Sequence, residues 1–62
     1  MTINKARELL SNQVQIASGY TRNGAKLILA EVSKEHGQAA VDSLIREFEL
    51  ERLFGFKEGM TF

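Results

Sequence analysis

The stretch that decides the fold is Phe48–Phe62, FELERLFGFKEGMTF, which holds all four phenylalanines of the chain, at 48, 54, 56 and 62. A helix advances about 100° per residue. On that wheel Val41, Leu44, Ile45 and Phe48 form one apolar stripe. Leu50, Leu53 and Phe54 then fall on the opposite side, while Glu51 and Arg52 take over the first stripe. The apolar face therefore changes sides near Glu49. Either the helix breaks there and folds back on its own core, or it continues and its second half faces another molecule. Neither proline nor glycine marks a break at that point, and those are the usual causes of a sharp kink. The preferred reading is a continuous third helix over 38–54. Leu50, Leu53, Phe54, Phe56 and Phe62 then form a partner interface, followed by an irregular aromatic tail. The rival reading is a tail that caps its own core.

Upstream, Ile3, Ala6, Leu10, Val14 and Ala17 recur in steps of three and four, the spacing of one helix face. Thr2 offers an N-cap and Gly19 a stop, which predicts a first helix over 3–18. Asn23-Gly24 is a hairpin signal when alternating apolar residues flank it, but Leu27-Ile28-Leu29 is a continuous run. The pair reads instead as part of an inter-helix turn. A second helix is predicted over 24–36, with Ala25, Ile28, Leu29 and Val32 inward and with Leu27 and Ala30 widening the apolar surface. Lys34 and His36 favour the end of that helix, and Gly37 closes it. The expected fold is all-α, a single small three-helix domain over residues 1–62.

A chain of 62 residues buries only about 60% of the surface its unfolded form exposes. Domains of this size are commonly reinforced by disulfides, metals or oligomerisation. There is no cysteine, which excludes disulfides and thiolate metal sites. Reinforcement by a homodimer or a protein partner is expected. Eight basic residues balance eight acidic ones. Nucleic-acid binders usually carry a positive excess, so zero net charge disfavours that class. No apolar run approaches the roughly 18 residues of a membrane span. The start, MTINKARELL, lacks the apolar stretch of a secretory signal. No membrane contact and a cytoplasmic location are expected.

Chemistry is sparse. His36 is the only imidazole, and nothing orders Ser11, Ser18, Ser33 or Ser43 around it as a nucleophile with its base. It reads as a helix-end residue. Glu47, Glu49 and Glu51 alternate, so successive ones diverge on a helix and do not converge as metal ligands. No catalytic, cofactor-binding or metal residue is assigned, and no enzyme activity is expected.

Asp42-Ser43-Leu44 resembles the attachment triplet of acyl carrier proteins, whose serine would carry phosphopantetheine. Here the triplet lies inside a predicted helix. Phe48-Glu49-Leu50 arrives one residue late for the Val-Glu-Leu pattern of that family. AEVSKEHGQAAVDSLIREF, 30–48, has the outline of a helix-turn-helix. Its second helix would show Asp42 and Glu49 to phosphates.

Gly19–Lys26 combines an aromatic ring, two cations and a helix start, where free amides attract anions. Tyr20, Arg22 and Lys26 are candidate anion or nucleic-acid contacts. If the segment is only a connector, replacing Arg22 and Lys26 by alanine is expected to change little. The leading functional expectation is a small non-enzymatic interaction or regulatory protein that buries its C-terminal apolar patch against a copy of itself or a larger protein. The alternative is a small dimeric nucleic-acid-binding transcriptional regulator.

Overall fold

The computed structural model describes residues 1–62 and contains helices without strands: α1 (Ile3–Ile16), α2 (Gly19–His36), α3 (Gln38–Glu47) and α4 (Leu50–Phe54). The all-α expectation holds, with the end of α1, the start of α2 and the end of α3 revised and a fourth helix added.

Thr2 caps α1 as expected, its hydroxyl accepting from the Lys5 N–H at 3.0 Å. The helix ends earlier than expected, at Ile16, because Ala17 turns left-handed (φ 48°, ψ 61°) and donates its N–H to the Gln13 carbonyl at 3.1 Å. Ser18 then starts α2 at once. The Thr21 N–H donates to Ser18 Oγ at 3.2 Å, and the Ser18 N–H donates to Thr21 Oγ1 at 2.7 Å. This reciprocal cap satisfies two of the amides that a helix start leaves free. It overrides the turn signal of Asn23-Gly24, which lies inside α2 rather than before it. Gly24 serves close approach: a Cβ there would stand 2.6 Å from the Gln13 side-chain oxygen of α1.

The core is a single cluster. Ala6 and Leu10 of α1 meet Ala25, Ile28, Leu29 and Val32 of α2 and Val41, Leu44 and Ile45 of α3. The inward faces read from the spacing of α2 and α3 are therefore those observed. Leu27 is different. It stands 72% exposed, because it projects from the side of α2 away from that face.

The expected continuous third helix does not form. α3 stops at Glu47, and Glu49 adopts the left-handed conformation (φ 53°, ψ 45°) before α4 begins. A non-glycine residue there costs roughly 1–2 kcal/mol. The reversal is stabilised by what it buries. Leu50, Phe54 and Phe56 return to the core, with Phe56 only 1% exposed. Gly55, also left-handed (φ 77°), ends α4, and the Phe56 N–H donates to the Leu50 carbonyl at 3.2 Å. Each large apolar side chain removed from water contributes about 1.5–3 kcal/mol, so three of them outweigh the strain at Glu49.

The remaining tail is tied to α3. The Gly59 N–H donates to Asp42 Oδ1 at 2.8 Å, and the Gln38 side-chain amide donates to the Met60 carbonyl at 3.1 Å. Glu58 pairs with Arg46. Phe62 closes the tail with its ring edge-on to Phe56, the centroids 5.2 Å apart.

Phe56→Ala should destabilise the fold by about 3–5 kcal/mol, the range for truncating a buried phenylalanine. Exposed Ile16→Ala should stay within about 0.5 kcal/mol of the parent. Urea unfolding of the two variants, followed by far-UV circular dichroism, measures both.

Candidate interaction surface

The C-terminal aromatics are the first place to look for a partner surface. The structure turns most of them inward. Leu50, Phe54 and Phe56 lie in the core, and Leu53 and Phe62 are half-buried against it. The Phe54 and Phe56 rings pack tilted at 5.9 Å. These residues are covered by their own chain, so they do not form the free interface expected of them. The side change near Glu49 was real, but its cause is the left-handed Glu49, which no glycine or proline announces.

The second candidate was Tyr20, Arg22 and Lys26. The structure does not bring them together. Arg22 and Lys26 are one turn apart on α2, while Tyr20 projects well to one side. The guanidinium of Arg22 is committed to the C-terminal segment. Its Nε–H donates to the Phe54 carbonyl at 2.9 Å, and its Cζ lies 4.8 Å above the centre of the Phe56 ring. Arg22 thus satisfies a carbonyl left open at the end of α4 and also holds a cation over an aromatic face. Two of the amides near the start of α2 are occupied as well: Thr21 donates to Ser18 Oγ and Arg22 to the Ser18 carbonyl.

The remaining polar candidates are engaged locally. The His36 Nε2–H donates to the Met1 carbonyl at 2.8 Å, so His36 fastens the end of α2 to the start of α1. Glu47 pairs with Arg7 and Glu49 with Arg52, which separates two of the three alternating glutamates. Asp42 and Ser43 sit in the middle of α3, and the Asp42 carboxylate accepts from Gly59 and Gln38. The 57–60 turn is tied across this side of α3, where Gln38, Asp42 and Arg46 of a recognition helix would project. No helix is long and apolar enough to cross a membrane.

Three large apolar side chains stand mostly in solvent. Ile16, at the end of α1, is 71% exposed; Tyr20 is 89% and Leu27 72% exposed. Tyr20, Gly24 and Leu27 recur at i, i+4 and i+7 along α2, so they share a face. Gln13, Tyr20, Asn23, Gly24 and Leu27 line a shallow concavity there. Sequence reasoning missed this surface by reading Leu27 as a widening of the apolar side of α2 and Tyr20 as part of a polar turn. The signal was present as the Tyr20–Leu27 spacing, but it shows only once residues 19–24 are helical.

Comparison with protein-family models, with curated proteins and with solved structures found no match for the chain.

Arg22→Ala should destabilise the fold by about 2 kcal/mol, through loss of a charge-assisted hydrogen bond and a ring contact. Lys26→Ala should change it by less than about 0.5 kcal/mol. Equal effects in thermal unfolding would contradict the assignment.

Asp42 supplies a pH test. The Gly59 N–H, and then the Gln38 amide, hold its carboxyl below the ordinary value of 3.8. A depressed folded value contributes stability that is fully present above 3.8 and is lost as pH falls through the folded value. Asp42→Asn should therefore be less stable than the parent at neutral pH. The difference should shrink as pH falls through the folded value of Asp42 and the carboxylate is protonated, as read from urea midpoints at neutral and at progressively acidic pH.

Proposed function

We propose that this chain is a small non-enzymatic interaction module whose partner surface is the outer face of α2 with the end of α1, centred on Tyr20 and Leu27. The observation that carries the reading is the contrast between two sets of apolar residues. The C-terminal phenylalanines, although abundant, are consumed by the core. Ile16, Tyr20 and Leu27 stand almost free at the surface.

Scattered single apolar residues at a surface are ordinary, whereas a contiguous group marks an interaction site. Tyrosine supports such a site because it adds large contact area with little conformational freedom to lose. The polar side chains most able to do chemistry are tied into local contacts: His36 to Met1, Asp42 to Gly59, and Arg22 to Phe54 and Phe56.

A nucleic-acid-binding regulator has weaker support. Such binding draws its affinity from cations that displace counterions. Here the charges balance, and Arg22 is held over Phe56.

The reading predicts that Leu27→Glu, at a position 72% exposed, leaves the helical spectrum and melting temperature unchanged but abolishes protein capture. The measurement is recovery of partner protein by the immobilised chain and by the variant, with mass spectrometry of what is held. Equal recovery by both chains would move the surface elsewhere. Salt-sensitive retention of nucleic acid in place of protein would favour the regulator.

A further inference from the structure

From the arrangement of residues along α2 we infer that the occupant of this face is a second copy of the chain, packed with the two α2 helices antiparallel about a two-fold axis through Leu27. The inference rests on the interaction-module reading and names its partner. Its basis is a symmetry in what α2 shows to solvent. Three, four and seven residues before Leu27 stand Gly24, Asn23 and Tyr20. Three, four and seven residues after it stand Ala30, Glu31 and Lys34. All belong to one side of the helix by the i, i+3, i+4, i+7 rule. When two such helices run antiparallel with Leu27 against Leu27, each residue before the axis meets the one equally far after it.

Every resulting pair is complementary. Gly24, with the Gln13 side chain of α1 lying against it, meets Ala30, a pairing of two small residues. Asn23 meets Glu31, an amide donor against a carboxylate. Tyr20 meets Lys34, an exposed ring against a cation. Lys34 has no carboxylate partner among the ion pairs of its own chain. Glu31 is exposed, its carboxylate 3.7 Å from the Met1 amino group.

A face that matches itself under a two-fold rotation is what an isologous dimer requires. No like charges oppose each other in it. One helix pair is small beside a standard interface, so the pairing is reversible. Its dissociation constant should lie between about 10 µM and 1 mM, weaker than the micromolar end reached by standard-size interfaces.

The test combines sedimentation with cross-linking. Sedimentation equilibrium of the whole chain up to about 1 mM, the upper end of that range, should show a monomer–dimer equilibrium. Leu27→Glu places two like charges on the axis and should weaken it at least tenfold, with an unchanged helical spectrum. The chain has no cysteine, so a single introduced thiol reports one position alone. Leu27→Cys should form a disulfide-linked dimer under mild oxidation far faster than exposed Ser43→Cys on α3.

A parent chain that stays monomeric, or a Leu27→Glu variant that dimerises as well as the parent, overturns the self-pairing. So does Leu27→Cys cross-linking no faster than Ser43→Cys. Lysate capture separates that failure from failure of the module reading. A monomeric chain that holds a foreign protein through Leu27 loses the second copy and keeps the surface. A monomeric chain that holds nothing loses both.

Discussion

The Phe56 ring is the contact on which the rest of this structure depends. It is buried to 1% exposure, with Phe54 on one side, Phe62 edge-on, and the Arg22 guanidinium across its face. Three helices of this length leave one side of the core open. Phe56 and its neighbours cover that side, and the chain must reverse after α3 for them to reach it. The left-handed Glu49, the short α4 and the left-handed Gly55 follow from that requirement. Arg22 joins the end of the chain to α2 by a hydrogen bond to the Phe54 carbonyl, so the reversal is held from both sides.

The fold carries its strain openly. Ala17 and Glu49 are the two non-glycine residues with positive φ, and each marks a place where a helix must end abruptly. Ala17 lets α1 stop one residue before the Ser18 cap starts α2. Glu49 lets α3 give way to α4. Neither side chain holds its backbone conformation directly, since Ala17 has only a methyl group and Glu49 makes an exposed ion pair with Arg52. Packing on either side sustains both turns, as expected where tertiary contacts outweigh local preference.

Much of the fold was legible in the sequence, for identifiable reasons. The α1 face at Ala6 and Leu10, the α2 face at Ala25, Ile28, Leu29 and Val32, and the α3 stripe ending at Phe48 follow from helical spacing alone. So does the change of side near Glu49. Its cause was not legible, because a glutamate in the left-handed region has no signature in residue type. The start of α2 was obscured differently. Gly19 and Asn23-Gly24 are strong turn signals, and the Ser18–Thr21 cap that defeats them depends on two ordinary hydroxyl residues three apart. Misplacing that start hid the open surface as well. Tyr20 and Leu27 share a face only if the helix begins before both. Thus one local cap decides whether the outer side of α2 reads as a loop followed by core or as a continuous, partly apolar stripe.

The main structural claim is that the last fifteen residues complete the chain's own core. Native-state hydrogen exchange tests it most directly, at a dilution where the chain sediments as a monomer. The Phe56 amide, bonded to the Leu50 carbonyl, and the Gly55 amide, bonded to Glu51, should be protected to within about tenfold of the Leu29 and Val32 amides of α2, as for a single cooperative unit. Exchange of Gly55 and Phe56 at the unprotected rate, with α2 still protected, would contradict it and return the C-terminal aromatics to a partner.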